Sequence, residues 1–404
     1  MRSIGARLVA PSSEAVGFWC SLIFSSSLLI FLWHIDAWPQ PHFDETWYVP
    51  TARELIATGE MLHQEHPPLG KLLISFGVTI FGDGPFGWRA MSAVFGSITL
   101  LGMFLWSYAL LRAIAPALWV AAITLFSQFL YVQSRIATLD IFVMAFCALG
   151  LAFFTFSLQE RGSGRRCFAY AILAGASLGL GGACKWSGFF LLAGLIAVAC
   201  LIQLFRLWQV RFADARPADF YGDDVWAAMT PLKTIVALGV VPFLAYFASY
   251  VPQMIHAGSM WEFVNSHRRM FEILSGNAGT HPYSSGWYAW PRLTRPVWYL
   301  FEARDRGTPW SAQNPASAIL ALPNPLILCA GEIAIVATTL AWLRARNMNA
   351  MIVTVGFWSQ YLPWAIDPKG LEFSYYYFPP LLCIGPALAL ILFRRERPWL
   401  TYPV

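Results

Sequence analysis

The sequence predicts an all-α polytopic membrane protein, and three observations carry that prediction. Apolar residues make up 57% of the 404 residues while charged residues make up 12%, against about 25% charged in an average soluble domain. The apolar residues gather into runs of about 20, the length a helix needs to cross a bilayer. The basic residues fall mainly on alternate connections between those runs, as expected when positive charge holds loops on the cytoplasmic side.

Ten runs qualify as spanning helices, at roughly 17–36, 86–111, 116–134, 137–158, 167–184, 186–205, 234–251, 324–343, 350–366 and 374–393. With the N-terminus (Arg2, Arg7) placed in the cytoplasm, "RGSGRR" at 161–166, "FRLWQVRFADAR" at 205–216, "RAR" at 344–346 and "RRER" at 394–397 also fall inside, with Arg112 and Lys233. These hold 15 of the 27 Lys and Arg residues, whereas the short outer loops hold six: Arg53, Lys71, Arg89, Arg135, Lys185 and Lys369. The first run follows a basic start, and a cleaved signal peptide is its rival reading; its length favours an uncleaved first helix. The chain reads as one multi-pass domain, 1–404, with outer loops 37–85 and 252–323 forming a catalytic face. In the first loop, "TARELIATGEML" and "GKLLISFGVTIF" read as short helices lying on the membrane surface. The second loop is rich in Trp, Tyr and Pro; its prolines exclude one continuous helix, and its aromatic residues suit the headgroup zone.

Composition excludes some functions. The net charge of +5 is scattered among apolar runs with no basic stripe, so a nucleic-acid partner is not expected. The seven cysteines lie in or beside apolar segments without a CxxC spacing and read as small buried hydrophobes. All seven histidines, with Asp44, Glu45 and Glu65, fall on the outer side of this topology. Titratable chemistry is thus gathered on one membrane face.

Several constellations could carry that chemistry. In "HFDETWY", Asp44 and Glu45 follow a spanning run; a carboxylate within reach of a hydroxyl can serve as general base, while a solvated loop acid is the structural alternative. In "HPPLGK", two prolines fix where His66 points, and Lys71 sits at a helix start that favours an anion. In "FGDGPFGWR", Arg89 opens a spanning helix, where it could snorkel to headgroups or clamp a phosphate. "QSRIATLD" places Arg135 and Asp140 at another outer boundary, with an interhelical ion pair as the alternative. "CKWSG" places Lys185, followed by Trp186, in a tight outer turn, where the charge is either an accident of topology or part of a lipid-phosphate site.

The ordered set "FDETWY", "HPPLGKLLI", "FGWR", "SRIATLD", "CKWSGFFLL", "HPYSSGWYAWPRLTRPVWY", "LPNPL" and "YYYFPPLL", spanning roughly residues 40 to 392, resembles the protein O-mannosyltransferases, glycosyltransferase family 39, in their bacterial form. The resemblance implies the glycosyltransferase C-type fold with 10–11 transmembrane helices. It also implies transfer of mannose, with inversion, from a polyprenyl-phosphate carrier to Ser or Thr hydroxyls of exported proteins, at the periplasmic face of the inner membrane. It makes Asp44 the base and Glu45 a substrate contact, and it matches Arg89 to an arginine the family needs. Two departures stand out: the 252–323 loop is too short for the β-trefoil domain of eukaryotic members, and Tyr376 or Tyr377 stands where a late His is usual.

The expected partners are therefore a polyprenyl-phosphate-linked sugar, a secreted or membrane protein acceptor, and membrane lipids. In the expected mechanism Asp44 takes the hydroxyl proton, Arg89, Lys185 and Arg135 stabilise the leaving phosphate, and Glu45 and His66 hold acceptor or sugar. Lys71, Asp140, Trp186 and Tyr376 complete the expected binding residues. No metal or other cofactor is expected, because the histidines of the first loop lack a tight ligand spacing. Two rivals remain: a sibling that transfers sugar to lipid A or another envelope glycan, and a transporter of lipid or sugar.

Overall fold

The structure is a computed structural model in which residues 12–211, 226–276, 281–303, 316–366 and 371–393 are described. Arg2, Arg7, Lys369 and the "RRER" segment lie outside the described residues.

Apolar composition over whole runs makes most helices here apolar on all sides. The first is α1, Ser13–Leu32, whose N-cap Ser12 accepts from the Ala15 N–H at 3.2 Å. Next come α2, Glu45–Ala57, and α3, Leu69–Phe81, the two short helices expected in the first loop. Then follow α4 (Pro85–Leu111), α5 (Ile114–Leu125), α6 (Gln128–Gln133), α7 (Asp140–Gln159), α8 (Gly164–Cys184) and α9 (Gly188–Arg211). After these, α10 spans Pro231–Ala248, α11 Val251–His256 and α12 Glu262–Gly276. Strands β1 (Val297–Ala303) and β2 (Ala316–Ala321) form an antiparallel pair. The chain closes with α13 (Pro325–Ala345), α14 (Met348–Tyr361) and α15 (Ser374–Leu392).

Eight helices among the described residues are long and apolar enough to cross a membrane: α1, α4, α7, α8, α9, α10, α13 and α15. The other two predicted spans are interrupted. The run at 116–134 breaks at Ser127, which is extended (φ −80°, ψ 108°), so α5 and α6 are separate pieces. The run at 350–366 ends as an α-helix at Tyr361 and tightens into a 3₁₀ turn, Leu362–Ile366. Pro363 lacks the N–H that a continuing α-helix requires. Inside α10, a π-helical stretch at Val236–Val240 precedes Pro242, the usual accommodation of a proline within a helix.

Among the described residues, the β-hairpin is the one departure from an all-α reading. Val297 and Tyr299, at alternate positions of β1, are fully buried, a period-2 pattern. The core lies where α7 packs between α4 and α8, and α7 buries residues on every side.

At one end of the bundle the connections converge. Phe43, before α2, stacks on Tyr299 of β1 at 4.2 Å, and Arg269 of α12 donates to Gln64. At the other end, Arg112 donates to Gln159 at 2.8 Å and Asn349 to the Leu110 carbonyl at 2.8 Å. The two long loops therefore meet at one end, and that end carries the charged residues singled out above. Close approach of α3 to α4 depends on glycine: a Cβ on Gly77 would meet the Gly87 carbonyl oxygen at 2.5 Å. Gly82, at φ +88°, makes the turn between them. This turn sets the first turn of α4, and with it Arg89, against the first loop.

Candidate active site

The adjacent acids of "HFDETWY" take opposite paths. Successive residues at a helix start point about 100° apart, and Phe43 enters the turn in the left-handed region, φ +52°. That costs roughly 1–2 kcal/mol for a residue with a Cβ. Stacking of its ring on Tyr299, with Tyr375 edge-on at 5.7 Å, holds it there.

Glu45 turns inward and is fully buried. Arg89 grips it with two parallel bonds, Nε to Oε1 at 2.7 Å and Nη2 to Oε2 at 2.8 Å. The Ala137 N–H donates to Oε1 at 2.9 Å and the His42 N–H to Oε2 at 3.2 Å. Arg89 is equally occupied: Nη1 donates to the Ile35 and Trp38 carbonyls at 3.0 and 2.9 Å, and Nη2 reaches Gln40 O at 3.2 Å and His42 Nδ1 at 3.3 Å. Every N–H of the guanidinium faces an internal partner. Where Arg89 was expected to clamp a phosphate and Glu45 to contact substrate, the two are 1% exposed or less and join the loop before α2 to α4 and to the α6–α7 connection. Burial of the adjacent His42 ring lowers its pKa, so it sits there neutral.

Arg135 and Lys71 are likewise engaged with backbone carbonyls. Arg135 directs its guanidinium onto the last carbonyls of α1, donating to Phe31 O at 2.9 Å and His34 O at 2.9 Å. It caps that helix as a C-terminal cation should. Lys71, fully buried, donates to the carbonyls of His63 and His66, the latter at 2.7 Å. It staples the turn that carries Glu65 and His66. Burial depresses its pKa to about 8.

Asp44, Asp140 and Lys185 form a second charged group, and Lys185 brings it to the wall of a cavity. Lys185 ends α8 and its Nζ bonds Asp140 Oδ1, at the start of α7, at 3.0 Å. The ammonium also lies 4.6 Å from the Tyr376 ring centre and 5.2 Å from that of Tyr375, a cation–π seat. Lys185 is 6% exposed, yet the fields of Asp140, Tyr376 and Asp44 overcome the cost of burial and raise its pKa. The backbone carbonyl of Asp44 accepts from the Trp47 and Tyr48 N–H groups at 3.0 and 3.1 Å, while its carboxylate accepts no hydrogen bond among the described residues. Its pKa is pushed up to about 7 by burial, with Asp140 and Glu65 adding to the shift and Lys185 opposing it.

Lys185 lines a cavity of about 420 Å³ together with Glu65, His66, Trp186, Trp364, Phe373 and Tyr376, among others. Tyr376 and Trp364 stack within its wall at 4.4 Å. Four residues of the expected set, His66, Lys185, Trp186 and Tyr376, thus border one cavity; Asp140 holds Lys185 there, and Asp44 shares their electrostatic field. Sequence reasoning did not place Glu65, Trp364 or Phe373 in a site. The aromatic density of "YLPW" and "EFSYYYFPP" was the available signal. Chemically, the cavity wall combines a fixed ammonium, flat aromatic faces and the Glu65 carboxylate, while Asp44, its pKa pushed up to about 7, lies within the field of that ammonium. That set can deprotonate a hydroxyl, stabilise an anionic leaving group and hold a sugar ring.

Comparison with known proteins agrees with this architecture. A polyprenol-phosphate-mannose–protein mannosyltransferase of Mycobacterium tuberculosis is 27% identical over 87% of this chain and 75% of its own length. One from Corynebacterium glutamicum is 26% identical over 80% and 72%. Among solved structures, the Saccharomyces cerevisiae protein O-mannosyltransferase Pmt1–Pmt2 complex bound to the sugar donor superposes with a TM-score of 0.75 at 14% identity, covering 97% of this chain and 89% of that one. Apo ArnT from Cupriavidus metallidurans gives 0.63 at 16% identity, covering 96% of this chain; this chain spans 62% of that one. These membrane glycosyltransferases share the C-type fold. The model for dolichyl-phosphate-mannose-protein mannosyltransferases matches residues 80–257, and that for the C-terminal four-span region of protein O-mannosyltransferases matches residues 259–394. With both halves of the bundle matched in order, the chain belongs to the dolichyl-phosphate-mannose-protein mannosyltransferase family.

Proposed function

We propose that the protein transfers mannose from a polyprenyl-phosphate carrier to Ser or Thr hydroxyls of exported proteins, at the outer face of the cytoplasmic membrane. The observation that carries this reading is the Lys185 ammonium, held by Asp140 in the wall of the aromatic cavity with the Asp44 carboxylate within its field. The names of the relatives supply the donor and acceptor class.

In the proposed reaction the acceptor hydroxyl oxygen forms a bond to C1 of the sugar as the C1–O bond to phosphate breaks, inverting C1. Asp44 receives the hydroxyl proton, and its raised pKa makes it a stronger base than an ordinary carboxylate. The polyprenyl phosphate departs with the bonding electrons and needs no proton. Its added negative charge develops toward Lys185, the one cation bordering the cavity among the described residues. Asp140 keeps Lys185 charged and aimed. Tyr376 and Trp364 offer flat faces to the sugar, and Glu65 and His66 offer polar atoms to its hydroxyls. Glu45, Arg89, Arg135 and Lys71 act at one remove, by fixing the loops that carry Asp44 and His66.

Purified protein incubated with polyprenyl-phosphate-mannose and a Ser/Thr-rich peptide tests this reading. Mass spectrometry is expected to show the peptide gaining one hexose per modified residue. Transfer to lipid A with an unmodified peptide would replace this reading with that of an envelope-glycan transferase.

A further inference from the structure

Trp186 follows Lys185 in the wall of the cavity, and its indole N–H points away into a buried knot of side chains between α10 and α12. Trp186 Nε1 donates to the hydroxyl of Tyr246 at 2.9 Å. That hydroxyl also meets Tyr250 Oη at 2.9 Å and His267 Nε2 at 2.7 Å. His267 Nδ1 faces the Phe263 carbonyl at 2.6 Å. A carbonyl only accepts, so in the neutral imidazole Nδ1 carries the proton and Nε2 is an acceptor. Tyr246 therefore donates to His267, and its two lone pairs receive Trp186 and Tyr250. The hydroxyl is saturated, with one bond given and two taken.

This knot joins three parts of the molecule. Trp186 stands at the cavity, Tyr246 near the end of α10, and His267 on α12. Helix α12 in turn supplies Leu274 to the same cavity wall. Through Arg269 it also grips Gln64, in the turn that carries Glu65 and His66. The Trp186 and His267 rings are nearly parallel, 26° apart with centres 6.1 Å apart, and Phe263 packs on His267 at 4.4 Å. Tyr246 and Tyr250 are 5% and 1% exposed. Without the Tyr246 hydroxyl, an indole N–H, a phenol and an imidazole nitrogen would each be left bare in an apolar setting, the costly arrangement for buried polar groups.

We infer that Tyr246 and His267 are positioning residues for the donor site: together they fix Trp186 beside Lys185 and dock α12 as one wall of the cavity. This rests on the donor reading proposed above. Neither residue touches the reacting atoms, so their loss acts on donor binding while the proton transfer at Asp44 is left as it is. The donor phosphate and first isoprene units are what a lysine flanked by a fixed indole and an apolar helix face would hold.

The test uses full-length protein in detergent or liposomes, with Tyr246→Phe, His267→Ala, His267→Gln, Trp186→Phe and the Tyr246→Phe/Trp186→Phe pair. Tyr246→Phe is expected to raise the KM for polyprenyl-phosphate-mannose about tenfold with kcat within twofold, the signature of lost binding. His267→Ala should match it. Gln can accept from Tyr246 and donate to Phe263 O, so His267→Gln should recover most of the loss. The double variant should be no worse than Tyr246→Phe alone, because both changes remove one connected unit. Equal losses for His267→Gln and His267→Ala, additive losses in the double variant, or a fall in kcat at unchanged KM would each overturn the inference. Equilibrium binding of undecaprenyl phosphate, which carries no sugar, separates this inference from the functional reading. It should weaken about tenfold in Tyr246→Phe whatever sugar the enzyme transfers, and unchanged binding would overturn the inference even if mannose transfer is confirmed.

Discussion

Two buried ion pairs sit within the same end of the bundle, and they are built oppositely. In the Arg89–Glu45 pair every guanidinium N–H has a protein partner, and both carboxylate oxygens accept more than one bond. In the Lys185–Asp140 pair the described residues supply a single hydrogen bond, two aromatic rings lie beside the ammonium, and Lys185 lines the cavity. The first pair is closed: Arg89 lines a cavity of about 280 Å³ with Arg135 and His42, but its N–H groups are all taken by protein partners, so it fixes loops and offers a ligand no spare donor. The second is deliberately incomplete, and an incomplete buried network is tolerable only where a ligand completes it. Counting donors and acceptors thus separates framework from chemistry where charge and burial alone do not.

Asp44 gives the sharpest test of that contrast, because it stands next to Glu45 in sequence and belongs to the open cluster. Asp44→Asn should lower kcat by about 10²–10⁴-fold, the range for loss of a general base, measured as mannose transferred to peptide. Its thermal stability should hold or rise. A folded-state pKa of about 7 lies above the unfolded value of about 3.9, so ionising Asp44 costs folding stability increasingly as pH rises between those values. The amide removes that cost. A stable Asp44→Asn protein with full activity would show that the open cluster is not the catalytic one.

The closed pair should fail in the opposite manner. Arg89→Ala leaves Glu45 buried without its counter-ion and the carbonyls of Ile35, Trp38 and Gln40 without a donor, a situation that costs about 3–5 kcal/mol. The expected result is a steep loss of folded yield and melting temperature. A Lys at 89 should rescue only partly, since an ammonium cannot reproduce two parallel bonds and three carbonyl contacts. An Arg89→Ala protein that keeps its melting temperature and loses only donor affinity would reverse the assignment and return Arg89 to the phosphate site.

That division could not be read from the chain alone. The ten apolar runs, the acid pair, and the motifs carrying Asp140 and Lys185 were legible because each signal is local: a run length, a doublet, a charge beside a turn. The partners of Arg89 at Ile35, Trp38 and Gln40 lie about 50 positions away, and those of Arg135 about 100 positions away. Carbonyl groups carry no residue identity, so no sequence pattern announces that they will absorb a cation. The breaks at Ser127 and Tyr361 were similarly masked by uniformly apolar composition, although Pro363 marked the second. The β-hairpin showed its alternation in "VWYLFEA", but so dense an aromatic segment equally suits the membrane surface. Trp364 and Phe373 reach the cavity only because the 3₁₀ turn and the segment leading into α15 fold back over it, a tertiary event.

The smallest expected effect probes the open cluster's electrostatics. Catalysis requires ionised Asp44, so kcat/KM should rise with pH along an acid limb centred near 7, well above an ordinary carboxylate. Burial is the main cause of that shift, and Glu65 adds to it through its negative field. Glu65→Gln should therefore move the limb toward lower pH, by less than about one unit. Relative to wild type, the variant would gain activity at pH 6 even if it binds donor less well at pH 8. Lys71, which the Glu65 field helps to keep charged, bonds two carbonyls whether or not Glu65 is ionised, so the turn should survive the substitution. Glu45→Gln is the matching control. Glu45 is absent from the groups that shift Asp44, so whatever folded protein it yields should show the wild-type limb. A limb that moved equally in both variants would mean that the two clusters share one electrostatic environment, and the boundary drawn between them would disappear.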